Sequence, residues 1–354
     1  TVANPMIWSD VPDMDYLRVG DTYYMISTTM FFNPGAPIMK STDLVSWKLC
    51  SYIYDTLEDN DTTNLLNGKS CYGNGQWAAS LKYHNGKYIA FFASNDQGKS
   101  YIFQTDDIEH GTWTKYTLNG VYHDASLFFD DDGKNYLIYG SGTISIKQLN
   151  SDVTGFQPGG VSQVLMKGQW DGLCEGSHFY KIDGYYYNFV IGKWPRSEMV
   201  FRSSTLLGNY DYKTVMSTGV GTYAAGCAQG GLIDTADGKW YSIMFQDHGA
   251  VGRIPSLIPV TWQDHWPVFG VNGKVPTTLT INTHYTGTDL AASDEFDETE
   301  LPLEWQWNHN PDNTKWSLTD REGWLRLKTG AIASDLLTAR NSLTQRTEGP
   351  ACTG

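Results

Sequence analysis

Four acidic or amide side chains and one tryptophan recur at matched distances ahead of a repeated turn glycine. Trp77, Asp124, Glu175 and Gln229 lie nine residues before Gly86, Gly133, Gly184 and Gly238, and Asp13 lies seven before Gly20, where the turn is tighter. Three carboxylates at equivalent, core-proximal positions call for a reason, because burying an unpaired charge costs several kcal/mol. Singly, each acid reads as a strand cap or an arginine partner. In register and beside an aromatic, they point to shared chemistry. Converging carboxylates can divide acid and base work: one donates a proton to a leaving oxygen while another activates water or attacks. A third is expected to raise the acid's pKa by like-charge repulsion and to hold its orientation. Trp77 offers a flat apolar face on which a sugar ring can stack. The chemistry these residues fit is cleavage of a glycosidic bond.

The glycines belong to five copies of one phrase: YLRVGDTYYMIS, LKYHNGKYIAFF, LFFDDDGKNYLIYG, FYKIDGYYYNFV and LIDTADGKWYSIMF, whose turn glycines are 66, 47, 51 and 54 residues apart. Each copy is a hairpin signature, with Asn-Gly or Asp-Gly supplying positive φ between strand residues. Repeats of about 40–50 residues in an all-β setting predict propeller blades. The expected fold is all-β: a five-bladed β-propeller, whose inner strands carry distant residues to one central funnel. Outer-strand phrases follow at 38–47, 101–113 and 199–210, and helical periodicity is nearly absent. Pro255 and Pro259, on apolar strand residues, suit edge positions or a ring-closing segment.

The texture changes near residue 280. We expect the propeller to span 1–280, a Thr/Ser/Asp-rich linker 281–292, and the N-terminal part of a β-sandwich 293–354. Sandwiches usually need about 100 residues, so the sequence is expected to stop inside that second domain.

Composition narrows the partners. The net charge of −14 leaves no basic stripe for a nucleic-acid backbone. No apolar run of about 18 residues exists to span a membrane as a helix. The start, TVANPMIW, lacks a leader's basic and apolar regions and reads as a mature or trimmed end, with a secreted, extracellular location expected. Of the five cysteines, Cys50 and Cys71 flank a polar loop and either bridge it or remain free buried thiols. No zinc-type Cys/His spacing, phosphate-binding glycine loop or nucleophile elbow is present.

The stretches NPMIWSDVPDMDYLRVGDTYYM (4–25), HDASLFFDDDGKNYLIYG (123–140), CEGSHFYKIDGYYY (174–187) and AQGGLIDTADGKWYSIMFQDHGAVGR (228–253) resemble glycoside hydrolase family 43, over residues 4–270. The family comprises propeller β-xylosidases, α-L-arabinofuranosidases and arabinanases. The resemblance implies Asp13 as general base, Asp124 as the pKa-tuning and orienting residue, and Glu175 as general acid, with inversion at the anomeric carbon. The tail DEFDETELPLEWQWNHNPDNTKWSL resembles the start of the sandwich attached to many xylosidase- and arabinofuranosidase-type members.

Departures from the family pattern raise alternatives. Pro12-Asp13-Met14-Asp15 stands where relatives more often show Pro-Asp-Pro-Ser, leaving Asp15 as a rival base on the same face of a strand; Pro12 favours Asp13. Many relatives carry His-Gln-Gly in the fifth module, the His helping to hold an ion or water at the axis. Ala228-Gln229-Gly230 here weakens the case for a structural calcium ion, and no cofactor or metal is required. Arg253 matches a family arginine that contacts sugar hydroxyls or the carboxylates. His248 either lines the pocket or caps a turn. Phe31 and Phe32 occupy the loop where relatives place an aromatic beside the sugar, with Phe32 taken as the substrate-binding one. His123 is expected to alternate away from Asp124 on a strand and to be structural.

These features predict an exo-acting inverting hydrolase releasing terminal α-L-arabinofuranose from arabinoxylan, a plant cell-wall polysaccharide, or from its oligosaccharides. The lean to arabinose rests on GKWPRSEMV (192–200), which lacks the Gly-rich stretch associated with xylosidase-type relatives. The alternatives are an exo-1,4-β-xylosidase on xylo-oligosaccharides and a non-catalytic carbohydrate-binding propeller.

Overall fold

The computed structural model describes residues 1–166, 174–192, 196–284 and 287–352. The five repeated phrases are hairpins. Gly20, Gly86, Gly133, Gly184 and Gly238 all take positive φ, and Asn85 and Asp183 join the second and fourth glycines with φ of 51° and 50°. Two left-handed residues in a row match the twist of the strands they connect, which is why Asn-Gly and Asp-Gly serve here.

Each hairpin extends into a four-stranded antiparallel meander, giving five such sheets among the described residues. Their first strands are Asp15–Val19, Ala79–His84, Ser126–Phe129, Glu175–Ile182 and Ile233–Asp234. One buried apolar cluster fills each gap between neighbouring sheets. Leu17, Ile38 and Phe92 join the first to the second, Phe91 and Leu127 the second to the third, and Phe128 and Phe179 the third to the fourth. Phe189 and Ile258 join the fourth to the fifth, and Tyr16 and Phe245 bring the fifth back to the first. The molecule is therefore a closed ring of sheets, as the repeat predicts.

Among the described residues no strand is exchanged between the first and last sheets, so side chains and the N-terminal segment close the ring. Tyr16, 2% exposed, accepts hydrogen bonds from the amides of Gly231 (2.9 Å) and Ile243 (2.8 Å) through one hydroxyl oxygen. Tyr16→Phe keeps the ring but orphans two buried amides. It is expected to lower unfolding stability by about 2–4 kcal/mol, read from denaturant midpoints against wild type.

Pro255 and Pro259 lie on Arg253–Gln263, the third strand of the fifth sheet. The fourth strand, Trp266–Phe269, pairs only with Val260–Gln263, so both prolines fall beyond that ladder, with Pro259 O accepting the Gly270 amide at 2.8 Å. The chain's own N-terminal segment covers the start of the third strand: Met6 N donates to Pro255 O, Val11 N to Arg253 O, and Asn4 brackets Leu257.

Residues 293–352 form short strands that dock on the ring. Gln306–Asn308 pairs both with Leu343–Thr344 and with Phe32–Asn33 of the first repeat. Fully buried His309 accepts the Cys71 amide at 2.9 Å, and Asn310 bonds to Asn33, Glu58 and Asn64. All five cysteines are free, so the Cys50–Cys71 bridge is not formed. Among the described residues no helix is long and apolar enough to cross a membrane.

Candidate active site

The matched positions lie at one end of the inner strands, and irregular backbone aims them. Asp13, Asp124 and Gln229 have φ of 53°, 45° and 57°, while Cys174 and Gly176, on either side of Glu175, have 51° and 76°. Left-handed backbone at non-glycine residues is uncommon, costs free energy, and clusters where side chains must be held out of a regular ladder. The strands proper begin only at Asp15 and Ser126. Alternation along a strand is therefore the wrong guide for Asp13, Asp15, His123 and Asp124.

Asp13 and Asp15 have different surroundings. Asp13 Oδ1 accepts from Arg253 Nη1 at 2.7 Å and Oδ2 from Thr28 Oγ1 at 2.9 Å, so two donors fix the carboxylate. Asp15 is 1% exposed, and its Oδ2 accepts the Leu81 amide at 2.7 Å. Asp15 is thus tied into the wall between the first two sheets, out of reach as the rival base. Arg253 also meets Asp247 at 3.4 Å and lies over the Phe245 ring, and Arg196 holds the other oxygen of Asp247 at 2.7 Å. Sequence reading passed over Asp247; its place in QDHGAVGR beside Arg253 was the available signal.

His123 corrects an expectation. Its side chain does not turn away from Asp124: Nε2 sits 2.8 Å from Glu175 Oε2 and 3.3 Å from Asp124 Oδ2, bridging two of the three predicted acids. Edge-on contact with the Trp77 ring, centroids 5.7 Å apart, brings the fourth matched residue to the same place. Burial disfavours the charged imidazole, but hydrogen bonds to both carboxylates outweigh it and carry the His123 pKa up to about 10. Burial pushes Glu175 up, yet the His123 proton dominates and holds it below the usual range, with Ser141 and Arg196 helping. Asp124 is raised, chiefly by burial, with the charges of Asp13 and Glu175 adding to it against His123. The expectation that a third carboxylate keeps Glu175 protonated is thereby reversed. These directions favour a protonated imidazole between the two acids.

This proton sharing has a measurable sign. His123→Ala leaves Glu175 to carry its own proton, which a carboxylate loses at lower pH than the cluster does. The alkaline limb of kcat/KM is expected to move acidward by more than about one pH unit. An unmoved limb in a pH series on an aryl pentoside would show that the imidazole does not hold the working proton.

Residues 2–267 match the family described as glycosyl hydrolases family 43, and residues 293–354 match the beta xylosidase C-terminal concanavalin A-like domain. The chain belongs to glycosyl hydrolases family 43. It is 30% identical to a beta-xylosidase of Formosa agariphila, over 99% of this chain and 69% of that protein. It is 29% identical to a non-reducing end alpha-L-arabinofuranosidase of Bacteroides ovatus, over 94% and 66%. A bifunctional GH43-CE structure from Bacteroides eggerthii superposes with a TM-score of 0.92 at 46% identity, covering 99% of this chain and 46% of that one. The chain thus spans under half of that bifunctional protein and about two thirds of the two relatives.

The remaining predicted residues of this family 43 chain divide. Gln229 is buried, with its side chain against Gly176, directly behind Glu175. His248 is 5% exposed: its ring lies 3.6 Å from Tyr223 and edge-on to Trp8, and Nε2 is 3.1 Å from Gln246 Oε1. Its side chain makes no cap bond to the turn Gly249–Val251, and burial lowers its pKa. Phe31 is packed against Phe32, Tyr72 and His309, whereas Phe32 is half-buried.

Both phenylalanines line a cleft of about 340 Å³ that also takes in Asp10, Thr28, Gly252 and, from the C-terminal unit, Gln345 and Arg346. Thr28 connects this cleft to Asp13. The stretch 192–200, on which the lean to arabinose rested, lies partly outside the described residues.

His123, Asp124 and Glu175 are near enough to one another to suggest a cation site. The 2.8 Å nitrogen–oxygen contact is a hydrogen-bond length, and an imidazole that keeps its proton has no free lone pair to offer a cation. An axial calcium ion fits poorly too. Calcium takes six to eight oxygens, whereas Ala228 has no side-chain ligand atom and its carbonyl already accepts the Phe245 amide, and both nitrogens of His178 face backbone carbonyls.

Proposed function

We propose that this chain is an inverting exo-glycoside hydrolase that releases terminal α-L-arabinofuranose from arabinoxylan or its oligosaccharides. One observation carries the hydrolytic acid–base part of this reading, and the choice of arabinofuranose rests on the resemblance of the sequence. Asp13 is fixed by two donors, whereas Glu175 is held at hydrogen-bond length from His123 beside Asp124, so the two carboxylates have different surroundings before substrate arrives. Asp13 takes a proton from water as that oxygen bonds to the anomeric carbon. The bond to the leaving oxygen breaks, and that oxygen receives the proton held between Glu175 and His123. Charge builds up on the ring carbon and oxygen as in an oxocarbenium ion. Asp124, buried with a raised pKa, orients His123 and thereby the acid. Arg253 is placed to contact sugar hydroxyls while holding Asp13, and Trp77 supplies the apolar wall. No step requires a cofactor, and a polymeric substrate would be met outside the cell.

Release of terminal xylose is the second reading, supported by the beta-xylosidase name of one relative just as the arabinofuranosidase name of the other supports the first. Parallel assays on 4-nitrophenyl α-L-arabinofuranoside and β-D-xyloside separate the two. A higher kcat/KM on the arabinofuranoside supports the first reading, and the reverse order moves the assignment to xylose. Sugar binding without release from either would leave a carbohydrate-binding propeller.

A further inference from the structure

His178 stands three residues beyond Glu175 on the strand Glu175–Ile182 and is 5% exposed. Its Nδ1 lies 2.9 Å from the Gly176 carbonyl oxygen and its Nε2 3.0 Å from the Met14 carbonyl oxygen. Gly176 directly follows Glu175, and Met14 directly follows Asp13. One ring therefore joins the backbone beside the acid to the backbone beside the base, across 164 residues of sequence.

Three further observations give the contact a purpose. Carbonyl oxygens only accept, so both bonds form together only when both ring nitrogens donate. Asp15 Oδ1, a buried oxygen without a hydrogen-bond partner among the described residues, lies 3.7 Å from Nε2 and places negative charge beside it. Both carbonyls also sit in irregular backbone: Met14 follows the left-handed Asp13, and Gly176, with φ of 76°, lies in a register shift of the ladder between Glu175 and His178. A bulge gives up ladder bonds and re-aims its side chains, so something else must hold it. The ring is also packed close to Gly231: its Cδ2 lies 3.0 Å from where a β-carbon on that residue would be.

We propose that His178 is a positioning residue that clamps the Met14 and Gly176 carbonyls and so fixes the separation of Glu175 from Asp13. The inference rests on the reading of these two carboxylates as acid and base. Inverting hydrolysis needs the pair held about 6.5–9.5 Å apart with a water between, and a misplacement of about 1 Å can cost on the order of 100-fold in rate.

The test is steady-state hydrolysis by the full chain and its His178→Gln variant of two aryl pentosides, one releasing phenol and one 4-nitrophenol. Inhibition by the free pentose is measured alongside, and near-UV circular dichroism reports folding. Gln reaches the Met14 carbonyl alone, so the clamp predicts kcat on the phenyl substrate lower by about 100-fold. The loss on the nitrophenyl substrate is expected to be smaller, because that leaving group needs less protonation. The pentose inhibition constant should stay within about threefold. Equal kcat in a folded variant, or one common factor on both substrates and the inhibition constant, would overturn the clamp.

Should His178→Gln fail to fold, Asp15→Asn keeps the ring and removes the charge beside it. A kcat about tenfold lower at unchanged pentose inhibition supports the clamp, and an unchanged kcat overturns it. A wild-type chain inactive on both substrates would overturn the acid–base reading and the clamp with it, whereas an active wild type matched by His178→Gln overturns the clamp alone.

Discussion

Glu175→Gln is expected to lower kcat on arabinoxylan oligosaccharides by about 10³- to 10⁴-fold while leaving the fold intact, the upper range for loss of a general acid. The amide is isosteric, and its oxygen still accepts the His123 proton, so the cluster stays assembled. What disappears is a group that can pass that proton to the leaving oxygen. The loss should therefore depend on the leaving group: large on sugar aglycones, much smaller on 4-nitrophenyl substrates, whose phenolate leaves without help. Michaelis constants on the two substrate types should change little. Activity within about tenfold of wild type on an oligosaccharide would remove Glu175 from the acid role.

Asp13→Asn is expected to cost at least as much, about 10⁴-fold, and to cost it on good and poor leaving groups alike, because water must be activated whichever group departs. Stability should change little. Asn keeps one acceptor oxygen for Arg253 or Thr28, and Arg253 retains Asp247 at 3.4 Å as a second partner. The contrast between the variants is diagnostic: leaving-group dependence for Glu175, none for Asp13. If Asp13→Asn instead spared 4-nitrophenyl substrates, the two roles would be exchanged.

Much of this architecture was legible in the residues. The Gly20, Gly86, Gly133, Gly184 and Gly238 turns required left-handed backbone, and each adopts it. Counting back from them found Trp77, Asp124 and Glu175, which the fold brings to one place.

What the sequence concealed depends on backbone that departs from period two. His123 was judged by strand alternation, yet Asp124 sits at φ 45° ahead of its strand, and the neighbouring ring turns inward to bridge both carboxylates. Asp13 and Asp15 share a face only on a regular strand, and φ of 53° at Asp13 separates them. Electrostatics were harder still: the direction of the Glu175 shift follows from a single imidazole 2.8 Å away. The tail's part in the cleft, through Gln345 and Arg346, depends on docking against Phe32–Asn33, which no local pattern announces.

The decisive measurement is proton NMR of the sugar in the first moments of hydrolysis, before mutarotation, with wild type and Glu175→Gln side by side on an oligosaccharide. A water poised by Asp13 opposite a bond protonated from the Glu175 side must deliver the anomer of opposite configuration, and the variant should yield almost none of it. First-formed sugar of retained configuration, or equal yields from the two proteins, would contradict the assignment of Asp13 and Glu175 as an inverting pair.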